Sequence, residues 1–216
     1  MLSYEFAITD VRPDPSAAVP TLVFRLRIAV SDDARVQSVL LRTQVRIEPE
    51  LRHYDDDEQA RLYDLFGHPA QWSHTLKPFL LCHLTTGVSS FDGSCEIDLH
   101  VPVSYDLEVT AGSYLHSVRS GSIPLIFLFS GTVFLRGDNG AQINQIPWDC
   151  DARFAMPSEI WTSLMDAFFP DSGWVRLSRE TIDALRVIKS VGAIPTWDGV
   201  MRALLQSQPQ HEDVVG

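Results

Sequence analysis

The thirteen residues Ile123 to Leu135 (IPLIFLFSGTVFL) carry no charge at all. The run is too short for a membrane-spanning helix, which needs about 20 apolar residues. Turn chemistry follows at once in Gly137-Asp138-Asn139-Gly140, and a second apolar stretch closes on Ile146-Pro147-Trp148. An uncharged run bounded by turn residues is the mark of a strand covered on both faces. It predicts Phe127, Phe129 and Val133 on one buried face of a central strand, with Ile126 and Leu128 on the other.

Period-2 alternation places other strands around it. Tyr4, Phe6 and Ile8 alternate in a first strand. Leu22, Phe24, Leu26, Ile28 and Val30 share one face of a second, with Arg25 and Arg27 opposite. Ser31-Asp32-Asp33-Ala34 reads as a hairpin loop into a third, Val36 to Glu48, whose apolar face holds Val39, Leu41, Val45 and Ile47 and whose polar face holds Arg42, Gln44 and Arg46. Asp55-Asp56-Asp57-Glu58 opens an inserted helix over about 55–66, since acids favour a helix N-terminus, and Gly67 is placed to end it. A strand follows near Phe79 to Thr86, and another alternates from Cys95 to Val109.

After Trp148 the period lengthens to that of helices. Pro157-Ser158 caps a helix in which Trp161, Leu164, Met165 and Phe168 recur at helical spacing. Ser178 caps a second helix, with Leu177 and Ile182 as a hydrophobic staple and Gly192 at its end. Thr196 caps a third. Strands first and helices last predict an α+β, mainly β chain: an antiparallel β-sandwich of about seven strands in residues 1–150, a cap of three short helices in 151–207 packed on the sheet, and a flexible tail, 208–216.

The 17 basic and 28 acidic side chains leave a formal charge of −11, which argues against a nucleic-acid binder. MLSYEFAITD has neither a basic nor an apolar leader region, and no segment is long enough to span a bilayer, so the chain reads as cytoplasmic, with Cys82, Cys95 and Cys150 reduced. No CxxC pair, P-loop or GxGxxG occurs, and no cofactor is expected.

Three candidate sites follow from residue type. Arg25, Arg27, Arg42 and Arg46, on the polar faces of two adjacent strands, would form a basic patch on an acidic protein, fit for an acidic partner surface or an anionic ligand. The competing reading is that Glu48, Asp106 and Glu108 neutralise it across the sheet. His53, His68 and His74, with Asp55, Asp56, Asp57 and Glu58 nearby, have ligand chemistry but no recognised metal spacing, so no metal is assigned. Cys82-His83 point to opposite faces of a strand, and Asp149 and Asp151 beside Cys150 oppose a thiolate, so neither thiol reads as a nucleophile. Arg136-Gly137-Asp138 reads as a hairpin turn.

The stretches QVRIEP (Gln44–Pro49), YDDDEQARLYDLFG (Tyr54–Gly67), SYDLEV (Ser104–Val109), LFSGTVF (Leu128–Phe134), PWD (Pro147–Asp149) and MDAFFPDSGWVRL (Met165–Leu177) together resemble a mostly actinobacterial family of unknown function, encoded near genes for uptake nickel–iron hydrogenases. The resemblance implies an accessory or assembly role with another protein as partner and supplies no catalytic residues. The expectation is therefore a non-enzymatic interaction protein. Its rival is an enzyme or small-molecule binder with a site between the sheet and the C-terminal helices.

Overall fold

The computed structural model describes residues 2–31, 34–103, 107, 111–137, 140–170 and 175–207. Asp106, Glu108, Asp138, Trp174 and the tail from 208 lie outside the described residues, so the expectations placed on them are not addressed.

Nine strands are described: β1 (Tyr4–Pro13), β2 (Thr21–Val30), β3 (Arg35–Ile47), β4 (Phe79–Val88), β5 (Phe91–Asp92), β6 (Ser94–Pro102), β7 (Ser122–Gly137), β8 (Gly140–Gln145) and β9 (Asp151–Pro157). They form two antiparallel sheets. One has the order β1-β2-β6; the other has the order β4-β3-β7-β8, with β5 added to β3 and β9 to β7. The fold class is the expected α+β sandwich, with nine strands rather than about seven.

The apolar faces read from the sequence meet between the sheets. Leu22, Phe24, Leu26 and Ile28 of β2 are buried, as are Val39, Leu41, Val45 and Ile47 of β3. Phe6 of one sheet stacks on Phe129 of the other, with centroids 4.4 Å apart, and Phe24 meets Phe127 edge-on at 5.1 Å. Phe127, Phe129 and Val133 all lie in this core.

Two expectations are corrected. β7 is not covered equally on both faces: Ile126 is buried, but Leu128 is only half-buried and Ser130 is exposed. Charge-free sequence here reflects a strand whose outward side chains are uncharged, not a second covering layer. And β2 and β3 are not a hairpin. β2 is already paired on both sides, by β1 and β6, so no edge remains for β3, which joins the opposite sheet.

β7 is the axis of the larger sheet. One edge pairs with β3 along most of its length. The other pairs with β9 from Ser122 to Leu128 and with β8 from Thr132 to Gly137. β9 falls after residue 150, where the sequence placed the start of a helical cap. The strand expected from Cys95 to Val109 ends as β6 at Pro102, which has no N–H to continue a ladder.

Between β3 and β4 stand the short helices α1 (Asp56–Arg61), α2 (Tyr63–Phe66) and α3 (Trp72–Thr75). Asp55 caps α1, accepting a hydrogen bond from the Glu58 amide at 2.7 Å, and Gly67 ends α2 with φ +71°. Glu58 is buried, and its carboxylate accepts two bonds from Arg52 Nη2 (2.9 and 2.7 Å) and one from the Arg119 amide (3.0 Å). Arg52 also lies over the Tyr54 ring, and the Tyr54 and Tyr114 hydroxyls hydrogen-bond at 2.8 Å. Charged and polar groups this deep stay only because each has a partner.

A further helix, α4 (Ser113–Ser117), precedes β7, and α5 (Ser158–Phe168) follows β9. α5 packs on β1, β2 and β9 through Trp161 and Leu164. Ser158 makes no side-chain cap there, contrary to its reading as one.

The chain divides into two compact units, Met1–Asp171 and Ser172–Gly216. So α5 belongs with the sheets, and the second unit holds α6 (Arg179–Val191) and α7 (Trp197–Ser207). Ser178 caps α6 by accepting from the Thr181 amide at 3.1 Å, and Thr196 accepts from the Gly199 amide at 3.0 Å. Leu177, Ile182, Leu185, Trp197 and Met201 line an apolar cavity of about 370 Å³ within this unit. No helix among the described residues is long and apolar enough to cross a membrane.

Candidate functional site

The four candidate arginines do not form one patch. Arg25 and Arg27 belong to β2, Arg42 and Arg46 to β3, and these strands sit in opposite sheets with their polar faces turned away from the shared core. Arg25 is neutralised: its Nε donates to Asp98 at 2.7 Å, and Glu96 lies 3.5 Å away. Arg12 also reaches Asp98, at 2.8 Å. Burial opposes ionisation of Asp98, but the Arg25 hydrogen bond and the two guanidinium charges outweigh it and hold the carboxyl below its usual value. Glu48, expected to neutralise the patch, instead pairs with Arg153 of β9 through bonds of 3.0 and 3.3 Å.

Arg42 is different. Among the described residues it makes no hydrogen bond or ion pair, and it projects from the outer face of the larger sheet. Arg46 is four residues along the same face, its Nη2 donating to the Pro78 carbonyl at 3.0 Å. β3, β4, β7 and β8 contain no Asp or Glu, although the protein as a whole is strongly acidic.

The same face also exposes several apolar side chains. Leu40, Leu80 and Ile143 are 45%, 40% and 64% exposed, and Trp148 is 93% exposed. Trp148 is held in place by the gap between β8 and β9. There the Ile146 amide donates to the Gly131 carbonyl (3.0 Å), and the Phe129 amide donates to the Cys150 carbonyl (2.9 Å). The turn between them is tied to β7 at both ends. Gly131 has φ +140°, and a Cβ there would run into the Leu40 carbonyl oxygen, so the close approach of β3 at this point requires glycine. Trp148, Arg42, Gln44, His83, Leu128 and Ser130 line an open groove of about 330 Å³. The sequence singled out Arg42. It gave no warning of Trp148, which read as the end of an apolar run.

The metal alternative is not assembled. Among the described residues no three His, Cys, Asp or Glu side chains converge, so His53, His68 and His74 do not share a site. His68 Nδ1 accepts from the Ala70 amide at 3.2 Å, a local turn contact, and Glu58 is committed to Arg52. The three thiols are unpaired, and burial raises the pKa of each, Cys82 to about 12. At Cys150 the charges of Asp149 and Asp151 add to that rise. None is set up as a nucleophile.

No curated protein matches the chain. Among solved structures, beta-glucosidase 3B from Thermotoga neapolitana, in complex with alpha-D-glucose, is similar over 71% of this chain and 17% of that one, with 15% identity and a TM-score of 0.26. A beta-glucosidase from Kluyveromyces marxianus in complex with glucose is 8% identical, with a TM-score of 0.24, over 71% and 15% of the two chains. The putative ApaA protein from Bordetella pertussis is 14% identical, with a TM-score of 0.22, over 73% of this chain and 94% of that one. The chain spans less than a fifth of either glucosidase, and likeness this slight assigns no activity. One match covers nearly the whole sequence: the model of a family of unknown function, DUF6084, fits residues 1–213, and the chain belongs to that family.

Proposed function

We propose that the protein is a non-enzymatic accessory protein of the cytoplasm that docks an acidic partner protein on the outer face of its six-stranded sheet. The carrying observation is the conjunction of Trp148, almost wholly exposed, with the unpaired Arg42 on strands that hold no carboxylate. Tryptophan and arginine are the residues that most often dominate binding energy at protein interfaces. The setting we favour, assembly of an uptake nickel–iron hydrogenase in an actinobacterium, rests on the family resemblance alone.

The test uses full-length Arg42→Glu and Trp148→Ala variants as bait in extracts of the native host. Both side chains are exposed, so stability should move by under about 0.5 kcal/mol. Partners captured by the wild type should be lost from both baits, and capture by the wild type should weaken with salt because the charges are solvent-exposed. A hydrogenase subunit or maturation factor among those partners supports the favoured setting. Retention of every partner by both folded variants refutes the docking face.

A further inference from the structure

Resting on that reading, we infer how the partner engages: an extended segment of it adds as a strand to the free edge of β4, with acidic side chains alternating with apolar ones and a large apolar side chain anchored where β4 begins. The juxtaposition is an unguarded edge strand, a carboxylate-free basic border and an apolar socket at one end.

β4 pairs with β3 on one side only, and its other edge meets no backbone hydrogen-bond partner among the described residues. Its ten residues, FLLCHLTTGV, contain no proline and no charge apart from what His83 can carry. Its single register shift falls at Leu81, which leaves Cys82–Val88 regular. Exposed edges of this kind recruit other strands, and proteins normally blunt them with charges, prolines or short length. The other edges here are blunted. β1 carries Glu5, Asp10 and Arg12, a bulge between Ile8 and Asp10, and Pro13 at its end. β6 carries Glu96 and Asp98 and stops at Pro102. β8 has six residues, and β9 has seven, with Asp151, Arg153 and Pro157.

The side chains of β4 specify what would fit. Cys82, Leu84 and Thr86 point inward yet stay only half-buried, so an added strand with apolar inward residues would complete their cover. Outward, the added strand would run beside Leu80, His83 and Thr85, with Arg42 and Arg46 one strand further in and Lys77 just before β4. Acidic outward residues answer that border. At the start of β4, Leu65, Phe66, Lys77, Phe79 and Leu80 line an open cavity of about 560 Å³ whose lining includes no β3 residue. Strand addition takes affinity from the backbone ladder and selectivity from such side-chain sockets.

The probe is a fluorescent nine-residue peptide alternating glutamate with valine and carrying phenylalanine at one end, titrated into the full-length protein. Saturable binding is expected. N-methylation of alternate peptide amides should weaken binding at least about tenfold in one phase and little in the other, because only one set of amides faces β4 and each methyl group removes a ladder hydrogen bond. Replacing glutamate by lysine, or Leu80 by Asp in the protein, should also weaken it. No binding at millimolar peptide overturns the inference. Equal tolerance of both N-methyl phases overturns it too, an outcome that would leave the docking face intact. A dimer of the protein alone that Thr85→Pro dissociates would give the edge to a second copy and overturn the partner assignment.

Discussion

Replacing Phe129 by alanine tests whether β7 is the axis of the fold. The ring is 2% exposed, stacked on Phe6 at 4.4 Å with an interplanar angle of 16°, and lies 6.5 Å from Phe127. Phe→Ala in a core generally costs about 3–5 kcal/mol, the larger values arising where the surroundings cannot close in. Here they cannot. Position 129 is held by β3 on one side and by the Cys150 carbonyl on the other, and Phe6 comes from the opposite sheet. The loss of the aromatic pair itself is about 0.5–1.5 kcal/mol of that total. A loss near 4 kcal/mol corresponds to a fall in Tm of roughly 8–16 °C for a chain of this size. Urea unfolding followed by far-ultraviolet circular dichroism measures it, with Phe129→Leu as control. Leucine keeps most of the volume and should cost under about 1.5 kcal/mol. An alanine variant within about 1 kcal/mol of wild type at unchanged m-value, or a leucine variant as damaged as alanine, would refute the central-strand argument.

Glu58→Gln should destabilise by about 3–5 kcal/mol in the same assay, because it leaves the buried Arg52 guanidinium without its counter-charge, while Arg52→Met combined with Glu58→Leu should recover most of the loss. Gly131→Ala should lower stability by at least about 1–3 kcal/mol, since alanine at φ +140° is strained and its methyl group meets the Leu40 carbonyl; an unchanged melting temperature would contradict the close approach of β3 and β7. The Cys82 thiol, raised by burial to about 12, should react with a disulfide reagent at pH 8 more slowly than an ordinary thiol, and recover an ordinary rate on unfolding in urea. Because the folded thiol keeps its proton where an unfolded one near 9.0 releases it, this contribution to stability is full below pH 9 and lost as pH rises toward 12.

Buried faces were legible in the sequence; neighbours were not. The alternation in β2 and β3 identified Leu22 to Val30 and Val39 to Ile47 as inward-facing, because a strand's period records which side is dry. It does not record which strand lies alongside, so Arg25 and Arg42 were placed together although a sandwich core separates them. β9 was missed although Ala152, Phe154 and Met156 alternate, because the strand is short and runs straight into α5. The caps Asp55, Ser178 and Thr196 were readable because a cap is settled within four residues. Trp148 was not, since its exposure is decided by two hydrogen bonds to β7, one from either end of its turn.

During synthesis β3 leaves the ribosome well before the strand it must lie against. Ile47 waits for Leu125 and Val36 for Leu135, roughly 80 to 100 residues further on, which at about 5–20 residues per second is on the order of 4–20 s. Through that interval β3 and β4 can meet as neighbours, but the edge of β3 that takes β7 stays unpaired. The nascent chain is thus a candidate for chaperone capture at this point. A chain truncated before Ser122 would stay in that state, with β3 missing its main partner.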